Sequence, residues 1–374
     1  MTTALRHDSL GHTPWWRAVI IAGAIVAPAT GMAQHAVTDA PAPAGYSTKV
    51  DVSNAVPEHA MDPTDRAGEV IRGRYDGSEG ARPWRLFVPS KRSTAPAMLL
   101  VVLHGCTQNA DDIAAGTRMD EVAEEKGFYV LYPEQIAAAN PRVCWNWFDG
   151  AHQSRGSGEP AIIASMLADV LKRPELANTV DRAQVHLVGV SAGAAMANLV
   201  AVAYPETFAS LSSMSGIGWK AASDVARALT VMQQGSGDGL PSAAAIVQAM
   251  GVNARALPTL VVHGARDAVV NVRNGEETAQ QWVDVHNLLR VRRSLATLTS
   301  DAVPRTRVEN GYSVSERDWR DDRGVTQVTF VRIEALGHAW SGGSPAGTFT
   351  DAKGPDVTRV VAAFCLSHPM RGTP

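Results

Sequence analysis

Val185-His186-Leu187-Val188-Gly189-Val190-Ser191-Ala192-Gly193 decides how the rest of the chain reads. An apolar run ends in the pattern G-x-S-x-G, and Ala194-Ala195-Met196-Ala197-Asn198-Leu199-Val200 continues in helix-favouring residues. A strand, a sharp elbow and a helix in that order lift a serine hydroxyl to the top of a sheet, above a helix N-terminus. The turn leaves no room for side chains at its flanks, which is why both flanking residues are Gly. Five residues of this pattern occur by chance in many chains. The strand before and the helix after make Ser191 a candidate nucleophile rather than a plain turn residue.

A serine hydroxyl is a weak nucleophile at neutral pH, so it needs a His to take its proton and an acid to orient that His. Sheets that carry such an elbow present these in the chain order Ser, then Asp or Glu, then His. Thr259-Leu260-Val261-Val262-His263-Gly264-Ala265-Arg266-Asp267 is a β run leading into a loop, with Asp267 just past the strand end. Val328-Thr329-Phe330-Val331-Arg332-Ile333 is another strand, and Glu334-Ala335-Leu336-Gly337-His338-Ala339-Trp340 puts His338 on the loop after it. Alone, Asp267 would read as a cap or turn residue and His338 as a loop His. The competitors fit less well. His263 lies in or at the end of its strand and reads as structural, Asp238 lies in a Gly-rich loop, and Asp301 follows a Ser/Thr-rich stretch.

Met98-Leu99-Leu100-Val101-Val102-Leu103 is a continuous apolar run, as a strand buried on both faces requires, and it ends in His104-Gly105-Cys106-Thr107-Gln108-Asn109. A His-Gly pair after an early strand can aim a backbone N–H at a substrate carbonyl. The reading assigns that donor to Cys106, with Ala192 N–H as the second. Within Gly105–Thr107 the donor is open by one position, and an ordinary strand-to-loop turn is the plain alternative.

These pieces together resemble the polyhydroxybutyrate-depolymerase-type esterases, a group of α/β-hydrolases that also takes in secreted feruloyl and acetylxylan esterases. The matching segments are His104 to Gln108, Cys144-Trp145-Asn146-Trp147-Phe148, the elbow, His263-Gly264-Ala265-Arg266-Asp267, Gly337-His338-Ala339-Trp340-Ser341-Gly342-Gly343 and Val357 to Cys365. The Cys-Trp-Asn-Trp-Phe piece is far more specific than the elbow. The likeness covers about residues 68–368, and two departures stand out: Ser341 where the family often has Pro, and Ala194 where it often has Gly. The resemblance implies an α/β-hydrolase fold, a mostly parallel sheet with helices on both faces in a single domain. It implies a Ser191, Asp267, His338 triad and a Cys106–Cys144 disulfide beside the oxyanion turn. Cys365, on a helix near the end, reads as a buried small apolar residue. It makes Trp147 and Trp340 candidates to line the substrate pocket, although Trp is also common in ordinary cores.

Composition agrees. The chain has 374 residues, 45% hydrophobic and 19% charged, enough for one large core, and a formal net charge of −3 that points to neither nucleic acid nor anionic membrane. Arg17 precedes the uncharged run Ala18–Ala27, too short to span a bilayer, and Pro28–Ala33 offers small residues for cleavage after Ala33. Residues 1–33 therefore read as a secretory signal peptide, with a retained anchor as the alternative, and a lipoprotein is disfavoured because no Cys lies near the cleavage site. Residues 34–67 read as a disordered leader, 68–368 as the catalytic domain and 369–374 as a tail. Export permits disulfides.

Elsewhere, Trp84–Pro89 reads as an early strand, Asp111–Lys126 as a helix, Gly127–Pro133 as a strand, Glu159–Lys172 as a helix and Phe208–Gly216 as a strand. Asp322-Arg323-Gly324 closes a hairpin between 313–319 and 325–333. Residues 217–255 break this rhythm and read either as a small lid or as a plain crossover helix. No metal-ligand spacing of His and Cys is present, so neither a metal nor an organic cofactor is expected. The function expected is a secreted serine esterase with no nucleic-acid partner and no stable membrane insertion, acting on 3-hydroxyalkanoate esters or oligomers. Feruloyl or acetylxylan esters are the alternative, with a non-catalytic binding protein or a protease of similar fold as remote ones.

Overall fold

Leu99, Val101 and Leu103 point into one core while Leu100 and Val102 point into another, and all five are 0% exposed. This period of two on a strand buried on both faces makes a sheet with helices on each side. The computed structural model describes residues 68–91 and 95–370; the expected signal peptide and leader, and residues 371–374, lie outside them.

The main sheet is built from β1 (Glu69–Gly77), β2 (Gly80–Val88), β3 (Ala97–Leu103), β4 (Tyr129–Pro133), β5 (Val180–Val190), β6 (Leu211–Met214), β7 (Thr259–Gly264), β8 (Thr299–Ser300), β9 (Arg305–Glu309), β10 (Tyr312–Arg320) and β11 (Thr326–Ile333). Their order is β1-β2-β4-β3-β5-β6-β7-β11-β10-β8, with β9 also paired to β10. The centre, from β4 to β11, is parallel. The strands outside it join antiparallel. A separate two-stranded pair joins β12 (Trp340–Ser341) to β13 (Thr350–Asp351).

The helices are α1 (Ala110–Thr117), α2 (Met119–Lys126), α3 (Gly158–Val170), α4 (Ala192–Ala203), α5 (Val225–Gln234), α6 (Ala243–Met250), α7 (Arg273–Arg292) and α8 (Val357–Ser367). Buried residues of α3 to α7 pack into the core on one face of the sheet, and those of α1, α2 and α8 into the core on the other. The single helix expected over Asp111–Lys126 is two, because Arg118 takes a left-handed conformation at φ 56° between them. Gly116 lies just before this break, and a Cβ there would crowd Thr350 and Gly347 of the loop that packs on α1. Residues 217–255 hold α5 and α6, crossover helices between β6 and β7.

The topology places three loops together. Ser191 follows β5, Asp267 follows β7 and His338 follows β11, all at C-terminal ends of parallel strands. Ligands of open α/β sheets bind at that edge.

Candidate active site

Ser191 sits at φ 55° and ψ −121°, a backbone region costly for a side-chain-bearing residue. The elbow holds it there because strand and helix meet in close contact. A Cβ on Gly189 would strike the backbone of Gly193, and one on Gly193 would strike the carbonyls of Leu103 and His104. The glycines thus let β5, α4 and the end of β3 approach one another, and Ser191 N–H is tied to the Met214 carbonyl at 2.9 Å.

The structure brings Ser191, His338 and Asp267 into one chain of hydrogen bonds. Ser191 Oγ lies 3.0 Å from His338 Nε2, and His338 Nδ1 lies 2.7 Å from Asp267 Oδ2. The carboxylate is fixed from both ends. Its Oδ1 accepts the N–H groups of Val269 and Val270 at 2.9 and 2.8 Å. His263 Nε2 donates to the Val270 carbonyl at 2.8 Å and lies 3.4 Å from Asp267 Oδ2. Burial alone would raise the Asp267 pKa, but its interactions with His263 and His338 hold it well below the ordinary carboxylate range. An anionic acid of this kind holds the imidazole with its proton on Nδ1 and leaves Nε2 to accept from the serine. Asp238 stands exposed in a short turn, and Asp301 pairs with Arg320 at 3.5 Å, so neither competitor approaches His338.

The turn after β3 narrows the choice of candidate oxyanion donor. Gly105 N–H donates to Gln108 Oε1 at 2.9 Å, Thr107 N–H to the Arg142 carbonyl at 2.8 Å and Gln108 N–H to the Gly105 carbonyl at 3.4 Å. Among the described residues, Cys106 N–H and Ala192 N–H have no acceptor within the protein. Of the Gly105–Thr107 turn, Cys106 is therefore the residue whose N–H is left for a ligand.

Behind this turn lies a buried polar scaffold. His104, 0% exposed, accepts the Gln135 N–H on Nε2 at 3.0 Å, which leaves the proton on Nδ1 to donate to the Gly105 carbonyl at 2.7 Å. Burial lowers the His104 pKa to about 4, against the raising effect of the Gly105 hydrogen bond, so the ring is neutral near pH 7. The Gln135 amide spans Arg82, the Cys144 carbonyl and the fully buried Glu159. Glu159 in turn accepts Asn146 N–H at 2.7 Å and Asn146 Nδ2 at 2.8 Å. Cys144 is bonded to Cys106 across a separation of 38 residues. The segment Cys144 to Phe148 thus buttresses the turn after β3 through a covalent bond and through Gln135. Cys365 is free and fully buried.

The two tryptophans expected to line the pocket are placed in the core. Trp147 is 5% exposed, and Trp340 is 2% exposed with its indole N–H donated to Thr358 Oγ1 at 2.9 Å. Trp340 lies on β12, paired with β13, and its side chain joins the core that also holds buried residues of α8. The aromatic surface beside the histidine comes from Phe349, whose ring centroid is 6.1 Å from that of His338 at 76°. Sequence reasoning missed Phe349, because a lone Phe in a Gly- and Thr-rich loop carries no local signal. Gln108 was legible only as part of a motif, and Gln135 not at all.

Residues 83–297 match the family model described as esterase PHB depolymerase. Poly(3-hydroxyalkanoate) depolymerase C of Paucimonas lemoignei is 32% identical over 52% of this chain and 46% of that protein. Acetylxylan esterase A of Emericella nidulans is 30% identical over 54% and 66%. Feruloyl esterase B of Neurospora crassa is 33% identical over 35% and 42%. The chain spans about half the length of the curated relatives it matches. Among solved structures, the acetyl xylan esterase from Aspergillus awamori superposes with a TM-score of 0.56 at 21% identity, over 72% of this chain and 94% of that one. At that identity the likeness speaks to the fold, which is that of the α/β-hydrolases.

Proposed function

The chain belongs to the esterase PHB depolymerase family, and on that premise we propose that it is a secreted serine esterase that hydrolyses carboxylic esters through an acyl-enzyme. The observation that carries the reading is the unbroken path from Ser191 Oγ through His338 to Asp267, at 3.0 and 2.7 Å. Ser191 Oγ attacks the ester carbonyl as His338 Nε2 takes its proton, and the carbonyl oxygen becomes an oxyanion facing the Cys106 and Ala192 N–H groups. The tetrahedral intermediate collapses, the C–O bond to the alcohol breaks, and His338 gives its proton to the departing oxygen. Water, deprotonated by the same imidazole, then attacks the acyl-enzyme and releases the acid and Ser191. Asp267 stays anionic throughout and stabilises the imidazolium.

For substrate, we place 3-hydroxyalkanoate esters or oligomers first. Poly(3-hydroxyalkanoate) depolymerase C matches at 32% identity. A second reading, acetyl or feruloyl esters of plant polysaccharides, is supported by relatives at 30% and 33% identity. Export is supported by the signal-like N-terminus and by a disulfide. No helix among the described residues is long and apolar enough to cross a membrane.

The test compares kcat/KM for 3-hydroxybutyrate trimer, acetylated xylo-oligosaccharide and methyl ferulate, with Ser191→Ala as blank. Preference for the trimer supports the first reading, and preference for either polysaccharide ester the second. Failure of a fluorophosphonate to label the wild-type protein at Ser191 would remove both.

A further inference from the structure

Phe349 is 47% exposed, and it is the one aromatic among the exposed large apolar side chains of the described residues. Its backbone lies at φ 51°, a left-handed conformation that a bulky non-glycine residue adopts only when its surroundings force it. The surroundings are specific. Its carbonyl accepts Trp340 N–H at 2.7 Å. The preceding Thr348 donates from N and Oγ1 to the two carboxylate oxygens of Asp112, at 2.9 and 2.6 Å, and its carbonyl accepts Gln108 Nε2 at 3.1 Å. The same Gln108 side chain holds Gly105 N–H at 2.9 Å, so one amide ties the Phe349 loop to the oxyanion turn. A strained backbone, fastened at several points, holds an apolar ring in water beside His338.

We propose that Phe349 contacts the substrate, forming the wall of the site against which the alcohol portion of the ester packs, and so favours esters of apolar alcohols. This rests on the esterase reading above. The side of the scissile bond follows from the chemistry. His338 Nε2 must reach the alcohol oxygen to protonate it as the C–O bond breaks, so the alcohol lies next to the imidazole, and Phe349 is the exposed apolar group there. An apolar alcohol, such as the next hydroxyacid unit of a short polyester, buries carbon against the ring. Each methylene fully removed from water is worth about a fourfold gain, and one ring face captures part of that.

The experiment measures kcat/KM for methyl butyrate and n-butyl butyrate by pH-stat with wild type, Phe349→Ala and Phe349→Asn. Both esters give the same butyryl-enzyme, so their ratio reports the alcohol alone. Asn adopts left-handed backbone readily, so the second variant removes the ring while keeping the loop. In wild type the butyl ester should be preferred about tenfold. That preference should fall to about twofold or less in both variants, with the loss falling on butyl butyrate. An unchanged ratio in a folded Phe349→Asn protein overturns the assignment, as does an equal loss on both esters, which would mean the ring acts only through His338. No turnover of either ester by wild type, with fluorophosphonate labelling of Ser191 also absent, would instead strike at the esterase reading on which the proposal stands.

Discussion

His104 Nδ1 donates to the carbonyl of Gly105 at 2.7 Å, and that carbonyl belongs to the peptide unit whose other end is the Cys106 N–H. A trans peptide points its C=O and N–H in opposite directions. Holding one therefore aims the other. His104 can donate from Nδ1 only because Nε2 is occupied as an acceptor by Gln135 N–H. His104→Ala should then lower kcat about 10²- to 10³-fold, the cost of losing one oxyanion donor, with KM little changed. Steady-state kinetics on a soluble ester check this. A kcat within threefold of wild type would mean the peptide is held without His104.

In the proposed mechanism Asp267 acts through the imidazole alone, which it meets at 2.7 Å. Asp267→Asn keeps the shape and the contacts to Val269 and Val270 but offers Nδ1 the wrong partner, favouring the other tautomer. We expect kcat to fall about 10⁴-fold with the melting temperature within a few degrees of wild type. Because the carboxylate is held well below the ordinary range, acid loss of activity down to about pH 4 should not report its protonation. Wild-type rates in the Asn variant would move the orienting acid elsewhere.

The Cys106–Cys144 bond closes 38 residues and ends in the turn after β3, the proposed oxyanion turn. In the chain-entropy description a loop of that length is worth about 4 kcal/mol. Reduction, or the paired change of both cysteines to Ser, should therefore lower both stability and kcat, since Cys106 supplies the free N–H. Urea unfolding and ester kinetics on the same samples check the two effects. Thiol titration of the denatured, unreduced protein should find one free thiol, that of Cys365; three would exclude the bond.

The elbow, the strand-end positions of Asp267 and His338 and the apolar runs of β3 and β5 were legible because each is a local pattern with a local cause. What escaped the sequence reading has non-local causes. β1 alternates between exposed and half-buried residues without an apolar run, and it is a strand because Glu69–Gly77 pairs along its whole length with β2. The 20-residue α7 was not expected because the face it buries includes Asn274, Gly275, Thr278, Gln281 and His286, which no hydrophobic period reveals. Asn274 and Gln281 find their partners far away in the chain, at the Val231 and Pro241 carbonyls and at Trp219. Trp340 was legible as an aromatic near the site, but which way a two-residue strand turns its side chain depends on its pairing with Thr350 and Asp351.

Buried neutral histidines should set the acid limit of the fold. Burial lowers the pKa of His104 and His286 to about 4 and of His186 to about 3. Each is held by hydrogen bonds that suit a neutral ring, His286 donating to the Leu257 carbonyl at 2.9 Å and His186 meeting Ser210 Oγ at 2.8 Å. In the unfolded chain each titrates near 6.5. Between the two values the unfolded state binds a proton the folded state refuses. The stabilisation is therefore complete above about pH 6.5 and is lost as pH falls toward 4, at up to about 1.4 kcal/mol per pH unit for each histidine. Urea unfolding from pH 7 to pH 4.5 should show this fall. His286→Gln can retain the donor to Leu257 and remove the titration, so its stability should decline less steeply over the same range. An identical slope in wild type and His286→Gln would show that His286 is protonated in the folded protein as easily as in the unfolded chain.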